Sequence, residues 1–328
     1  MRFPFFTCRQ SHVGARHSLT MKTNFTPANL SASVIAVPPL CRDRSWKCDA
    51  VENRRLIQHI EAGGVTTLLY GGNANFYNIA LSEYESVLDL LEDAAAAETW
   101  VVPSVGPYFG MMLDQAALLA RRKFPTAMVL PASAVTSPEG VEVAIQRFVQ
   151  KAGIRAVLYI KDEHYVTVEV VKKLVDAGVI AWIKYAVVRI DPAIDPLLRS
   201  LVDQVDPALI VSGIGEQPAI SHWRDFGLRA FTSGCVCVAP RLSQQMLACL
   251  RAGQFDEAAR VRGTFHELES LRNAHGPIAV LHHAVAASGI AETGPALPLL
   301  SDLPEPLRET VRHAALRLHD AEMGAGVR

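Results

Sequence analysis

The stretch Val179-Ile180-Ala181-Trp182-Ile183-Lys184-Tyr185 carries a lysine at the end of an apolar run. The run from Val179 to Ile183 has the length and composition of a fully buried strand. A lysine at the carboxyl end of such a strand can lie where a parallel barrel keeps its chemistry. Burial there would lower the pKa of the amine, and the free amine could attack a ketone to form a Schiff base. The alternative is that Lys184 only ends the strand and reaches solvent, because lysines are seldom buried.

The composition suits a globular α/β protein. The chain has 328 residues, half of them hydrophobic, which is enough for one α/β barrel or two smaller domains. A formal net charge of −1 gives no sign of a nucleic-acid partner or an acidic membrane surface. No apolar stretch is long enough to span a bilayer. We therefore expect no nucleic-acid or membrane partner, and the cysteines described next indicate a cytoplasmic location.

The cysteines show neither metal-type spacing nor a disulfide framework, so we expect reduced thiols. Cys235 and Cys237 are predicted to alternate along a strand and to point to opposite faces. The other cysteines are Cys8, Cys41, Cys48 and Cys249.

Residues 1–28 are predicted to form an N-terminal tail, disordered or an upstream extension. Arg2, Arg9, Arg16 and Lys22 lie in or next to this segment, and no acidic residue comes before Asp43, as in a transit-like leader. The apolar stretch 3–6 is too short for a secretory signal core. The other interpretation is an upstream extension, with Met21 as the true start.

From residue 29 onward, strand and helix patterns alternate eight times. The predicted strands are 34–37, 65–70, 100–105, 127–130, 156–160, 179–183, 209–212 and 230–233. The predicted helices are 50–62, 82–97, 111–122, 138–152, 167–177, 192–204, 218–226 and 240–252. Ser82 and Glu85 form the pattern of a capping box at the second helix. Eight such units favour an α/β fold closed as a (β/α)8 TIM barrel over 29–238, with a doubly wound open sheet as the alternative.

The remaining residues are predicted to be helical only. Three helices, 255–272, 278–288 and 307–319, follow the barrel, and a proline-rich segment over 293–306 separates the last two. Residues 239–328 therefore comprise the last barrel helix and a C-terminal helical annex.

The active site of such a barrel lies at the carboxyl ends of its strands. The turn Gly71-Gly72-Asn73-Ala74-Asn75-Phe76-Tyr77 has backbone N–H groups that could hold a carboxylate, although it could equally be an ordinary turn. Tyr159 ends the fifth strand, where a phenol could move protons or could simply pack. The seventh strand ends in Ser212-Gly213-Ile214-Gly215-Glu216, a turn that allows close backbone approach.

These strand ends resemble those of the dihydrodipicolinate synthase / N-acetylneuraminate lyase family of class I Schiff-base aldolases. The resemblance runs from about Ser31 to the last helices. The turn 71–75 is similar to the family's glycine- and threonine-containing loop, and 158–160 to its Leu-Tyr-Asn stretch. The segment 182–184 is similar to its Gly-Ile-Lys stretch, and 212–213 to its Ser-Gly turn.

The resemblance implies a mechanism without a metal or organic cofactor. Lys184 would condense with the ketone of pyruvate or a related 2-oxo acid, and Tyr159 would act as the acid and base. The backbone N–H groups of Gly72, Asn73 and Ala74 would hold the substrate carboxylate. The other substrate-binding candidates are Ser133, His164, Gly213 and Thr232. The family also implies a homo-oligomer, a homotetramer built as a dimer of dimers.

The sequence departs from the synthases at three places. The strand-two loop lacks the family's two hydroxyl residues. The tyrosine pair after strand four is replaced by Ala132 and Ser133. The arginine after the strand-five tyrosine is missing, and His164 is nearest to its position. The resemblance thus keeps Schiff-base formation and argues against the lysine-biosynthesis substrate. The loop 71–77 looks more like that of the sugar-acid dehydratase branch, which indicates a hydroxylated 2-oxo sugar acid.

Three functional interpretations remain open on the sequence. The first is a lyase or aldolase that acts through Lys184. The second is a regulatory paralogue that binds a 2-oxo acid without turnover, and the third is a purely structural barrel. Lys161 is a rival lysine near a strand end, but the charged residues Asp162 and Glu163 would keep it protonated and a poor nucleophile.

Overall fold

A computed structural model describes residues 25–325, except for the side chain of Ser133. Residues 1–24 of the predicted tail, which include the possible start at Met21, lie outside the described residues. Phe25, the first described residue, lies inside the predicted tail and is buried. Its ring meets that of Trp100 edge-on at 5.0 Å, and its carbonyl accepts a hydrogen bond from Arg155 Nη2 at 2.7 Å. The helix α1 (Pro27–Ala32) then leads into the barrel.

Eight parallel strands form the sheet, each hydrogen-bonded to its neighbours in the order β7-β6-β5-β4-β3-β2-β1-β8. The isolated bridge between Ser212 and Phe231 joins β7 to β8, and the backbone N–H of Ser212 donates to the carbonyl of Ala230. This contact brings the two ends of the sheet together, so the (β/α)8 TIM barrel is confirmed and the open sheet is wrong. The strands are β1 (Ile35–Ala36), β2 (Thr67–Tyr70), β3 (Trp100–Val105), β4 (Ala127–Val129), β5 (Ala156–Ile160), β6 (Ile180–Tyr185), β7 (Ile210–Ser212) and β8 (Thr232–Ser233).

The barrel helices lie between the strands, and most begin and end close to the predicted residues. They are α2 (Ala50–Ala62), α3 (Leu81–Ala94), α4 (Phe109–Leu119), α5 (Pro138–Ala152), α6 (Val168–Asp176), α7 (Pro196–Val202), α8 (Glu216–Phe226) and α9 (Pro240–Arg251). Every residue of β2, β5 and β6 is buried. That burial follows because helices cover the outside of a parallel sheet while side chains fill the inside.

Three local predictions were wrong. Helix α3 starts at Leu81 after Ala80, so Ser82 lies inside the helix and is not its cap. Helix α7 starts at Pro196 because the carboxylate of Asp195 accepts the hydrogen bond from the backbone N–H of Leu198 at 3.1 Å. Residues Cys235–Cys237 form a short 3₁₀ turn after β8 and do not extend the strand.

The C-terminal annex consists of α10 (Phe255–His275), α11 (Pro277–Ala287) and α12 (Glu305–Ala325). Helix α10 packs on α8 and α9 as well as on the other annex helices. Glu322 of α12 is buried, and its carboxylate accepts hydrogen bonds from the backbone N–H groups of Arg241 at 2.9 Å and Leu242 at 3.0 Å. Those N–H groups belong to the first turn of α9, where intrahelical acceptors are absent. The annex therefore caps the last barrel helix.

Within residues 25–325, none of the helices combines the length and apolarity needed to cross a membrane. The five cysteines in this part of the chain are free thiols.

We predict that Glu322→Ala lowers the free energy of unfolding by about 1–3 kcal/mol, since the buried N–H of Leu242 and the partly buried N–H of Arg241 lose their acceptor. Urea denaturation measures this loss. Glu309→Ala on the exposed side of α12 is the control, because its carboxylate pairs only with exposed groups such as Arg312. Equal stability of the two variants would contradict the capping role of Glu322.

Candidate active site

Lys184 lies inside the carboxyl end of the barrel, on β6. Its side chain is 4% exposed, so the interpretation in which it reaches solvent is wrong. Burial, together with the positive charges of Lys161 and Arg272, lowers the pKa of the amine to about 7. An amine with that pKa is about half neutral at pH 7. Such an amine has the free electron pair that attack on a ketone needs, whereas an ordinary surface lysine is almost fully protonated at this pH.

Tyr159 is the direct neighbour of Lys184 on the adjacent strand. The two residues are register partners between β5 and β6, and Lys184 Nζ lies 4.5 Å from the centroid of the Tyr159 ring. Burial raises the pKa of the Tyr159 phenol to about 12. The phenol therefore stays protonated at neutral pH and can give a proton to an oxygen bound next to the amine.

Gly213 makes room for the lysine stem at the end of β7. A Cβ at this position would lie 2.9 Å from Lys184 Cγ and 2.7 Å from the carbonyl oxygen of Tyr185. The preceding Ser212 contacts the opposite side of the strand, where its hydroxyl is 2.8 Å from Nδ1 of His222 on α8. Gly213 therefore borders Lys184, and the space that the lysine stem occupies exists because glycine has no side chain.

The loop after β2 presents three backbone N–H groups that need an acceptor. The turn is closed by hydrogen bonds from the N–H of Asn75 to the carbonyl of Gly72 and from the N–H of Phe76 to that of Gly71. Among the described residues, the N–H groups in between, at 72–74, have no protein acceptor. Successive free N–H groups in a turn form a concave site for an anion. The loop therefore has the backbone donors that a carboxylate would need, and its role in substrate binding stays a prediction.

The annex and β1 hold this loop in place. The Asn73 side-chain amide donates to the carbonyl of Val37 at 2.9 Å, so it braces the loop and leaves only backbone donors for a ligand. His282 of α11 lies with Nε2 2.9 Å from the carbonyl oxygen of Asn73. Burial lowers the pKa of His282 to about 4, so the ring is neutral and Nε2 carries its proton to donate this bond.

The remaining predicted site residues differ in how far they are buried. Thr232 is buried on β8. His164 is on an outer loop with its side chain 87% exposed, far less enclosed than the lysine and tyrosine. The side chain of Ser133 lies outside the described part of the chain. Lys161 is exposed at the end of β5, so it is the less suitable of the two lysines.

Two groups in this region were not singled out by the sequence. Tyr77, in the loop after β2, lies near Tyr159 and Tyr165, and burial together with these two phenols raises the pKa of its hydroxyl. Arg272 comes from α10, and its guanidinium packs against Gly234 directly after β8. Tyr77 belongs to the loop 71–77 quoted above, but the sequence assigns it no role. For Arg272 the sequence carries no signal, because an arginine in an annex helix resembles any surface arginine.

No group of three or more histidine, cysteine, aspartate or glutamate side chains within residues 25–325 is arranged to hold a metal ion. The barrel end instead combines a neutral amine, a protonated phenol and free backbone donors. This set can bind a carboxylate and attack an adjacent ketone.

Comparisons with known proteins agree with the barrel. The model of the dihydrodipicolinate synthetase family matches residues 34–315. A "probable 5-dehydro-4-deoxyglucarate dehydratase" of Bacillus subtilis (strain 168) is 25% identical over 209 residues, covering 62% of this chain and 67% of that protein.

Solved structures share the fold at lower identity. Dihydrodipicolinate synthase from Bacillus clausii superposes with a TM-score of 0.78 at 19% identity, over 88% of this chain and 97% of that one. The sialic acid aldolase of Ruminococcus gnavus has a TM-score of 0.77 at 16% identity, over 90% and 99% of the two chains.

We predict that Lys184→Met stabilises the protein more at pH 6 than at pH 9. The pKa of this amine falls from 10.5 in the unfolded chain to about 7 in the folded protein, so the unfolded chain binds the proton more tightly. Wild-type stability therefore decreases as the pH falls from about 10.5 to about 7 and loses nothing further from this group below 7. Methionine does not titrate, so the variant avoids this loss, which is larger at pH 6 than at pH 9.

Urea denaturation of both proteins at the two pH values measures the difference. Lys173→Met, which changes an exposed lysine of α6, is the control and should leave stability nearly unchanged. A stabilisation by Lys184→Met that does not vary with pH would contradict the lowered pKa.

Proposed function

The chain belongs to the dihydrodipicolinate synthetase family, and we propose that it is a lyase that forms a Schiff base between Lys184 and a 2-oxo acid. The single observation that carries this proposal is the fully enclosed amine of Lys184, whose pKa is lowered to about 7 beside the Tyr159 ring. A buried lysine costs stability, and such perturbed groups concentrate where chemistry needs them.

Imine formation follows from these two side chains. The neutral amine of Lys184 forms a bond to the ketone carbon, and the carbonyl oxygen takes the proton of the Tyr159 phenol. The nitrogen then returns a proton to the phenolate. A second transfer through the same phenol lets the hydroxyl leave as water, so ketone and amine give an imine and one water molecule. The N–H groups at 72–74 would hold the neighbouring carboxylate during these steps.

The protonated imine then serves as an electron sink. When the bond from C3 to C4 or to hydrogen breaks, its electron pair enters the imine and gives an enamine. In the cleavage reaction the C4 hydroxyl gives its proton to the Tyr159 phenolate as C4 leaves as a carbonyl product. The phenol then returns that proton to C3 of the enamine, and hydrolysis of the resulting imine frees the amine. In a dehydration, loss of the C3 proton is followed by departure of the C4 hydroxyl as water. Either outcome is the work of a lyase.

For the substrate we propose pyruvate-like 2-oxo acids, and among them a hydroxylated 2-oxo sugar acid. The support is the loop 71–77, whose pattern resembles the sugar-acid dehydratases, together with the dehydratase from Bacillus subtilis that shares 25% of its residues over 209 positions. Dihydrodipicolinate synthesis is disfavoured because Ala132 stands where the synthases carry a hydroxyl and exposed His164 where they carry an arginine.

A regulatory paralogue that binds a 2-oxo acid without turnover is the second candidate. The missing hydroxyls at 72–74 favour it. The buried, half-neutral amine argues against it, because binding alone does not require a neutral lysine.

We predict that borohydride in the presence of pyruvate reduces an imine on Lys184 and leaves a stable adduct. Peptide mass mapping locates it. The rate of trapping should rise with pH through about 7 and then level off, because only the neutral amine attacks. An adduct on Lys161 would move the site to β5, and no adduct with pyruvate or longer 2-oxo sugar acids would favour the non-catalytic paralogue.

We predict that Tyr159→Phe slows imine formation by roughly 10²–10⁴-fold, the usual contribution of a general acid–base group. Single-turnover trapping measures the rate. Tyr84→Phe is the matched control, since it removes a buried phenol that donates to the carbonyl of Ser104 away from the lysine. If both variants trap at the wild-type rate, Tyr159 has no role in proton transfer.

A further inference from the structure

Arg272 is a buried arginine whose donors are almost unused. The residue is 8% exposed, although it comes from the annex helix α10. Its Nη1 lies 3.9 Å from Sγ of Cys235, which is a weak contact, and its Nε has no partner among the described residues. A guanidinium carries five N–H donors and is always charged. Most of the hydrogen-bonding capacity of this side chain therefore remains open.

The groups around Arg272 do not neutralise it by direct contact. Burial raises the pKa of the thiols of Cys235 and Cys237, so both are uncharged at neutral pH. Burial also raises the pKa of Glu269, one turn earlier on α10, and Glu216 adds to that rise. Within residues 25–325, Arg272 forms no salt bridge with either carboxylate. Glu269 and Glu216 act on Arg272 through space, and with Cys235 they raise the pKa of its guanidinium although burial opposes the charge, so the cation persists while its donors remain open to an anion.

The guanidinium lies at the same end of the barrel as the lysine. A Cβ on Gly234 would lie 2.6 Å from Nη2 and 2.7 Å from Cζ of Arg272, so the missing side chain of this glycine makes the space that the guanidinium fills. Gly234 directly follows β8, and the carboxyl ends of parallel strands share one face of the barrel. The charge of Arg272 is felt at Lys184, where it disfavours the ammonium form.

We propose that Arg272 binds a second carboxylate at the far end of the substrate, so that the preferred substrates are dicarboxylic 2-oxo acids. The inference rests on the proposed Schiff-base function and adds a substrate class to it. In the ring of eight strands, the N–H groups at 72–74 follow β2, directly opposite β6 with Lys184, while Arg272 sits at β8 between them. Two separate anion sites flank the amine, and arginine suits the second because its fork binds a carboxylate through two parallel hydrogen bonds.

The test compares matched 2-oxo acids in borohydride trapping on Lys184 of the wild-type protein. 2-Oxoglutarate and 2-oxoadipate carry the second carboxylate, whereas 2-oxopentanoate and 2-oxohexanoate have the same chain lengths without it. For at least one pair, we expect the dicarboxylate to reach half-saturation at a concentration at least about tenfold lower than its matched monocarboxylate. Equal values for both pairs would overturn the proposal without any variant.

Arg272→Gln should remove this preference, bringing the ratio of the two half-saturating concentrations close to one. The ratio is the useful quantity, because a changed pKa of Lys184 affects all the 2-oxo acids alike. Arg262→Gln is the matched control on the same helix. Its guanidinium contacts the carbonyl of Gln217 on the outer side, and the wild-type ratio should persist. Gly234→Ala, which displaces the guanidinium, serves as the second variant if Arg272→Gln does not fold.

Two other outcomes have distinct meanings. An unchanged ratio in folded Arg272→Gln would overturn the proposal by assigning the preference to another cation. An equal loss of affinity for pyruvate and the dicarboxylates would also overturn it, by assigning Arg272 to the first carboxylate. If pyruvate gives no adduct on Lys184 in the wild type, the Schiff-base function itself fails, and that result is separate from the other two.

Discussion

The burial of the Lys184 amine is the constraint on which the functional end of this barrel depends. Taking an ammonium out of water disfavours its charged form, and no carboxylate nearby offsets the effect, since the groups that act on it are the cations Lys161 and Arg272. The enclosure needs a long fully buried strand for the lysine, a tyrosine ring beside it and a glycine on the next strand. Each of these restricts the residues that the fold can use at that position, and together they leave the amine of Lys184 partly neutral at pH 7.

The annex takes part in this end of the barrel. His282 of α11 donates to the carbonyl of Asn73 and so fixes the loop whose N–H groups are free for a carboxylate. Arg272 of α10 fills the space beside Gly234. Glu322 of α12 ties the same unit to the start of α9. The C-terminal helices thus supply polar contacts to the end of the barrel where Lys184 is buried.

The departures from the synthases acquire a physical meaning here. Asn73 replaces a hydroxyl residue, yet its amide is used to brace the loop against Val37 and not to meet a ligand. Phenols of Tyr77 and Tyr165 lie near that of Tyr159, so hydroxyl groups are present at the site although not at the family's usual positions. The homotetrameric assembly, the cytoplasmic location and the roles of Ser133, His164 and Thr232 stay predictions.

The sequence by itself determined the eight strand–helix units and the position of Lys184 on the sixth strand. These features follow from local hydrophobic runs and glycine boundaries, which depend only on neighbours along the chain. Where local signals competed, prediction failed: Ser82 and Glu85 imitated a cap, and Asp195 delayed the start of α7. The tertiary structure alone decided the enclosure of Lys184, the exposure of His164 and the arrival of Arg272 beside β8, because each depends on contacts between residues far apart in the chain.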